Sequence, residues 1–390
     1  MVEVVKFDQT ESYWNVISRA AQLVRDGGLV AFPTETVYGV GARADIPAAV
    51  RRLRVAKRHE EPRPFTVHIG RKRDVDSFVP DVPAVARRLA RKAWPGPLTL
   101  LLEVPDPGRA PVVVDRGRDV AVELYQDGVV GLRCPDDQAA ADLLNEAGLP
   151  VVASSANVAG GRPPRTAEEV IEQMACTIDL LIDGGPTRYA RASTVIRVHT
   201  AAHDAASGGR IRPAGGTEDF TVVREGVYDE RALRRLAAMN ILFVCAGNTC
   251  RSPMAAGLCR KALAARLGCA VRDLERLGYH VNSAGLSALG GGAAADEAVN
   301  VMRDRGVDIS GHVTQPMTAE LARQADAIFA MTRAQVDWIA DLAPEAAERV
   351  QLLAGDADID DPVGSGPEVY AACAERIEQS LAQRLTGIEP

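Results

Sequence analysis

The chain has 390 residues, 47% hydrophobic and 25% charged, with a net charge of −7, so two or three soluble domains are expected and whole-protein attraction to nucleic acid is not. Seven scattered cysteines, an odd number, argue against a disulfide framework or a zinc site, and no metal site is expected. No apolar run could span a bilayer and no signal-peptide pattern opens the chain, which points to a cytoplasmic protein without a membrane partner.

From residue 28 to about 215, short apolar runs alternate with helical patterns. Residues 28–33, 65–69, 98–102, 150–153, 179–182 and 193–198 read as strands, and Arg133-Cys134-Pro135 ends another. Residues 48–57, 137–146 and 167–174 read as helices, the last with Thr166 as its N-cap. The alternation predicts an α/β domain with a mixed sheet. Arginines and lysines crowd residues 51–73; most of them read as a solvated face, the rest as a basic rim for an anion. Residues 199–209 read as a loop insertion and 221–238 as a linker with a short helix.

Met239 opens a second alternation, with strands at 241–244, 280–283, 327–331 and 350–353. Helices are predicted at 252–266, 295–305, 333–342 and 367–385. Strands separated by helices predict a four-stranded parallel sheet with helices on both faces.

In the first half, polar and cationic residues recur where strands end. The run 33–41 (Pro-Thr-Glu-Thr-Val-Tyr-Gly-Val-Gly) closes the first strand, and Lys57 follows a helix. Arg63 to His68, Trp94 to Thr99, Ser154-Ser155-Ala156-Asn157, Ser193-Thr194-Val195 and Ile211-Arg212-Pro213 come after. Each alone is a turn, a loop or a packed residue. Their common placement is what gathers a ligand site in an α/β sheet. Cations suit phosphates, and hydroxyls suit a small polar substrate.

In this order the segments resemble the Sua5/YrdC/YwlC family of threonylcarbamoyl-AMP synthases, over roughly residues 15–220. The resemblance implies that L-threonine, bicarbonate and ATP, with Mg2+, become threonylcarbamoyl-AMP and pyrophosphate. The product would feed the t6A modification of tRNA and its transferase machinery. Thr36, His68, Arg133 and Ser193 would contact threonine; Lys57, His59, Arg63, Ser155, Asn157 and Arg212 would contact ATP. Three positions depart from the family pattern. Lys57-Arg58-His59 stands for Lys-x-Arg, Ser154 for a proline, and Pro163 for a common serine.

In the second half, Cys245-Ala246-Gly247-Asn248-Thr249-Cys250-Arg251-Ser252 joins a predicted strand to a predicted helix. The N–H groups of such a loop can ring a tetrahedral oxyanion, and the helix N-terminus adds positive partial charge. Arg251 can grip two phosphate oxygens. The same field favours the thiolate of Cys245, and Ser252 can hydrogen-bond it. Thiolate attack on phosphorus needs an acid for the leaving group, for which Asp361-Pro362 is the candidate.

With Ser283-Ala284-Gly285, Gly311-His312, Asp326-Ala327 and Met331-Thr332, residues 239–387 resemble the low-molecular-weight protein-tyrosine phosphatase family. The resemblance implies Cys245 as a nucleophile forming a phosphocysteine, with Arg251 binding phosphate. Asn248, Thr249, Cys250 and Ser252 complete the phosphate loop, and Asp361 is acid and then base. No cofactor is implied. Cys250 would form a reversible disulfide with Cys245. Thr249 resembles the arginine-phosphatase branch, and Val363 stands where an aromatic residue usually follows Asp-Pro. The implied substrate is a phosphoprotein, carrying phosphotyrosine or phosphoarginine.

The expected protein is a bifunctional enzyme: a synthase domain at 12–220, a linker at 221–238 and a phosphatase domain at 239–388. The alternative is an active phosphatase regulated by a non-catalytic nucleotide- or RNA-binding N-terminal domain.

Overall fold

The structure, a computed structural model, describes residues 2–6, 12–58, 64–199 and 220–385. His59, Arg63, Arg212 and the expected insertion beyond His199 lie outside the described residues. The described chain forms two compact units, residues 2–199 with 220–236, and residues 237–385.

The first unit is built on a ten-stranded sheet. Its strands are β1 (Glu3–Lys6), β2 (Val30–Phe32), β3 (Gly39–Arg43), β4 (Thr66–His68), β5 (Leu98–Glu103), β6 (Val129–Arg133), β7 (Val151–Ser155), β8 (Leu180–Asp183), β9 (Thr194–Val198) and β10 (Phe220–Arg224). Their order is β1-β8-β2-β3-β7-β4-β6-β5-β9-β10. Pairing is mixed: β4 runs parallel to β6, whereas β5 runs antiparallel to β6. Helix Tyr13–Arg25 buries Val16, Ile17, Ala20, Ala21 and Val24, a stripe of helical period. That stripe shares a core with Leu143 and Leu144 of helix Gln138–Ala147 and with Phe32, Val151 and Ile182 of the sheet. Asp137 caps the second helix by accepting from the Ala140 N–H, and Gly148 ends it in the left-handed region at φ 64°.

Residues 221–238, expected to be a linker, are ordered as β10 followed by helix Glu230–Ala237. Strand β10 lies antiparallel on β9, with Phe220 buried opposite Val198. The linker expectation is corrected for residues 221–236, which belong to the first unit, with β10 completing its sheet. Gly226 secures the contact. A Cβ there would lie 2.3 Å from the Ser193 carbonyl carbon and the Thr194 nitrogen.

The second unit has four parallel strands, β11 (Met239–Cys245), β12 (Tyr279–Gly285), β13 (Ala327–Ala330) and β14 (Val350–Leu352), in the order β12-β11-β13-β14. Central β11 is buried on both faces, which explains its unbroken apolar run. Ile241, Phe243 and Cys245 enter one core with helices Arg251–Leu267, Asp296–Asp304 and Pro367–Arg384. Leu242 and Val244 enter the other, with helices Ala319–Gln324 and Arg333–Leu342.

Gly226→Ala is expected to pry β10 from β9, at a cost of about 1–3 kcal/mol. Hydrogen-exchange protection across Thr194–Val198 and Phe220–Arg224 should fall; unchanged protection would refute the close-approach argument.

Candidate functional sites

The first site is a cavity of about 240 Å³ in the first unit. One transverse row of the sheet crosses it. His68 on β4 stands opposite Arg133 on β6, which stands opposite Thr99 on β5. Thr99 stands opposite Val195 on β9, which stands opposite Arg224 on β10. All of these residues line the cavity. Arg224 joins the row only because the register shifts between Val222 and Arg224. Without that bulge Val223 would face Val195, since one extra residue swaps the faces of a strand.

Arg133 is buried and makes its contacts through one nitrogen. Its Nη2 donates to Thr36 Oγ1 at 2.6 Å, Glu35 Oε1 at 3.0 Å and Thr34 Oγ1 at 3.4 Å. Its Nε has no partner. Burial, then the charge of Arg133, pushes the His68 pKa down to about 3, against the hydrogen bond to the Thr66 carbonyl. His68 is therefore neutral at pH 7. Its Nδ1–H donates to Thr66 O at 3.1 Å, so Nε2 remains an acceptor. The Ser193 hydroxyl lies 2.9 Å from Thr99 Oγ1 and accepts from Arg224 Nη2 at 3.1 Å. Burial is also the main force lowering the Arg224 pKa, with help from the Arg133 charge.

Beside the cavity, Lys57 Nζ donates to the Ser155 carbonyl at 2.6 Å. Burial pushes the Lys57 pKa down to about 8. Asn157 is buried, with its Nδ2 donating to the carbonyls of Val158 and Gly161 at 2.7 and 2.9 Å. Its Oδ1 is buried without a partner.

The expected threonine contacts His68, Arg133 and Ser193 thus share one cavity, with Thr36 hydrogen-bonded to Arg133 from its edge. Of the expected ATP contacts, Ser155 lines the cavity, Lys57 is bonded to it, and Asn157 lies two residues on. Sequence reasoning missed Arg224, Glu35 and Thr99. The β-branched run Thr221-Val222-Val223 before Arg224 was the available signal of a strand.

The second site lies at the end of β11. Cys245 stands opposite Gly285 on β12. A Cβ on Gly285 would lie 2.6 Å from Ala246 O and 2.8 Å from Asn248 N. Only glycine lets the loop 246–250 fold across the strand end. Asn248 turns that loop, at φ 56°, and its N–H donates to Cys245 Sγ at 3.2 Å. Its Nδ2 donates to Ser252 Oγ and Ser283 Oγ, both at 2.9 Å, and its Oδ1 accepts from Gln315 N at 2.9 Å. His312 Nε2 lies 2.8 Å from the Asn248 carbonyl. Ser252 Oγ is 3.0 Å from Cys245 Sγ.

Arg251 opens the helix Arg251–Leu267 and is buried. Its Nη1 donates to Ile359 O at 2.9 Å, its Nη2 pairs with the Asp361 carboxylate, and its buried Nε has no partner. The acid loop is thereby drawn against the thiol loop. Cys250 is buried 3.3 Å from the Tyr370 hydroxyl and 3.5 Å from Thr249 Oγ1. Cys245 and Cys250 are both free thiols.

Residues 22–205 match the Sua5/YciO/YrdC family model, described as telomere recombination. The threonylcarbamoyl-AMP synthase of Chromohalobacter salexigens is 33% identical over 179 residues, which are 46% of this chain and 90% of that protein. The chain belongs to the Sua5/YciO/YrdC family. The threonylcarbamoyl-AMP synthase of Pyrococcus abyssi is 39% identical over 177 residues, 45% of this chain and 49% of that protein. The chain thus spans about half the length of this relative, as it does of the Bacillus subtilis one. Residues 240–389 match the low molecular weight phosphotyrosine protein phosphatase model. A solved arginine phosphatase, YwlE of Geobacillus stearothermophilus, is 33% identical over 38% of this chain and 94% of its own, with a TM-score of 0.33.

Asn248→Ala removes several buried hydrogen bonds from the thiol loop at once. Hydrolysis of p-nitrophenyl phosphate by the full chain is expected to fall about 100-fold, on the scale of about 1–3 kcal/mol for each buried group left unpaired. An unchanged rate would mean that the loop holds its shape without this side chain.

Proposed function

We propose that the family's first-half unit makes threonylcarbamoyl-AMP from L-threonine, bicarbonate and ATP. The threonine amine and bicarbonate form a carbamate with loss of water. A carbamate oxygen then attacks the α-phosphorus of ATP, and pyrophosphate leaves. The single observation that carries this reading is the cavity row, which sets a neutral acceptor, His68, beside a buried guanidinium, Arg133, and ends on a second cation, Arg224. His68 Nε2 suits a donor group of threonine, and Arg133 with Thr36 and Ser193 suits its carboxylate and hydroxyl. Lys57, Ser155 and Asn157 serve the nucleotide, with His59 and Arg63 assigned from sequence alone. Arg212 is likewise assigned to ATP from sequence alone, and Arg224 adds a cation to the cavity. Mg2+ enters as part of the ATP substrate. Among the described residues no group of three or more His, Cys, Asp or Glu converges to hold a metal. The product, a mixed anhydride, would be consumed by a transferase that modifies tRNA to t6A.

The second unit, on the same proposal, hydrolyses phosphoproteins. Cys245 attacks phosphorus while Arg251 and the loop N–H groups hold the equatorial oxygens. Asp361 protonates the leaving group, then takes a proton from the water that cleaves the phosphocysteine. The closely hydrogen-bonded set of Cys245, Asn248 and Ser252, with Asp361 held on Arg251, supports this reading. The exposed aliphatic Val363 beside Asp361 offers no ring to stack on a substrate, and either phosphotyrosine or phosphoarginine suits the site. No described helix is long and apolar enough to cross a membrane. A cytoplasmic setting fits the chemistry, because ATP and a reduced nucleophilic thiol are both available there.

Purified protein with ATP and bicarbonate is expected to release pyrophosphate only when L-threonine is added, and Cys245→Ser should leave that release intact while abolishing p-nitrophenyl phosphate hydrolysis. Hydrolysis without any threonine-dependent release would mean that the first unit has lost or changed the reaction, and salt-dependent RNA binding would then favour the non-catalytic regulatory alternative.

The burial of Lys57 gives a pH dependence. A lysine whose pKa falls to about 8 carries its charge below that pH and loses it above. Because kcat/KM reports the free enzyme, kcat/KM for ATP should decline about tenfold per pH unit above about 8. In Lys57→Arg the decline should vanish, and an identical profile in the variant would place the titrating group elsewhere.

A further inference from the structure

Glu35 lies between β2 and β3, and its side chain is 1% exposed. Oε1 accepts from Arg133 Nη2 at 3.0 Å and Oε2 from the Asp136 N–H at 3.1 Å. Its carbonyl accepts from the Tyr189 N–H at 2.8 Å. One residue therefore ties together the turn before β3, the end of β6 and the connection between β8 and β9. These are the segments from which the cavity's Thr34, Arg133 and Ser193 come.

The hydrogen bonds of Arg133 have a direction. Glu35, Thr34 and Thr36 all act on Nη2. Nε is left buried and unpartnered beside the cavity. A guanidinium is a rigid plane with five donors in fixed directions. Pinning one nitrogen with a carboxylate and two hydroxyls fixes the plane and decides which donors remain for a ligand. The carboxylate also offsets the charge that a lone buried guanidinium would carry.

We propose that Glu35 is a positioning residue, which fixes the guanidinium of Arg133 so that its remaining N–H groups meet the carboxylate of L-threonine. The proposal rests on the synthase reading and adds a residue to it. Glu35 touches neither substrate nor nucleotide, and it acts through Arg133. Its loss therefore falls on threonine recognition and not on ATP.

The test is Glu35→Gln in the full chain, which keeps the size of the side chain and removes its charge and one acceptor. The KM for L-threonine should rise about ten- to a hundred-fold, the range for a lost hydrogen bond to a charged group. The KM for ATP should stay within about twofold, as expected when a residue acts on one substrate alone. An unchanged KM for threonine, or an equal rise for both substrates, would overturn the proposal, since general loosening of the cavity predicts the second. Should the Gln variant fail to fold, Glu35→Asp keeps the charge but cannot span both partners, and the same threonine-selective rise is expected of it. If the wild-type protein shows no threonine-dependent turnover, the synthase reading has failed, and the crystal structure of the variant decides the role of Glu35. Arg133 Nη2 parted from Thr36 would support positioning, and Arg133 unmoved would overturn it.

Discussion

A side chain on a paired strand cannot choose its face; the register chooses it. Both sites depend on this constraint. In the first unit, residues from five adjacent strands meet in one transverse row, His68, Arg133, Thr99, Val195 and Arg224. Each is brought there by pairing with its neighbour and needs no contact of its own with the others. In the second unit the same constraint pairs Cys245 with a residue that has no side chain, Gly285. The bare backbone at that point is what allows the next three residues to turn over the strand end.

The two units solve one electrostatic problem in the same way. A buried guanidinium is expensive unless its charge is met. Arg133 meets Glu35 and Arg251 meets Asp361, each through Nη2, and each keeps a buried Nε without a partner. The partners differ in exposure. Glu35 is sealed in, while the Asp361 side chain is 40% exposed. A sealed carboxylate is part of the frame. An exposed one on a loop can release its arginine to a phosphate and turn to a leaving group. On the proposed reading, burial separates a fixed acid from a working one, although the two ion pairs look alike.

Much of this was legible in the amino-acid sequence, for a reason visible in β11. A strand covered on both faces must be apolar throughout, and Ile241 to Val244 reads that way. The helices of the second half were legible by their period. The strand-end motifs could be collected before any fold was known, because polar residues interrupt apolar runs where the sheet ends. What stayed hidden lies at the sheet's edges. Strand β1 buries only Val5, and β10 buries only Phe220, so neither shows the pattern of a covered strand. β3 was hidden for a different reason, since Gly39 and Gly41 within it resemble a turn. Arg224 was missed with β10, because a face-swapping bulge leaves no mark in composition. Glu35 stood in view within the 33–41 run, but its partners come from 98 and 101 residues away, and no local pattern announces them.

The pairing of β9 with β10 has a consequence for how this chain tolerates change. Arg224 is located by a ladder of hydrogen bonds and by the close approach of Gly226 to Ser193 and Thr194. The cation's address is thus written in strand pairing and in one bare backbone position, and whatever moves either of them moves the rim of the cavity with it.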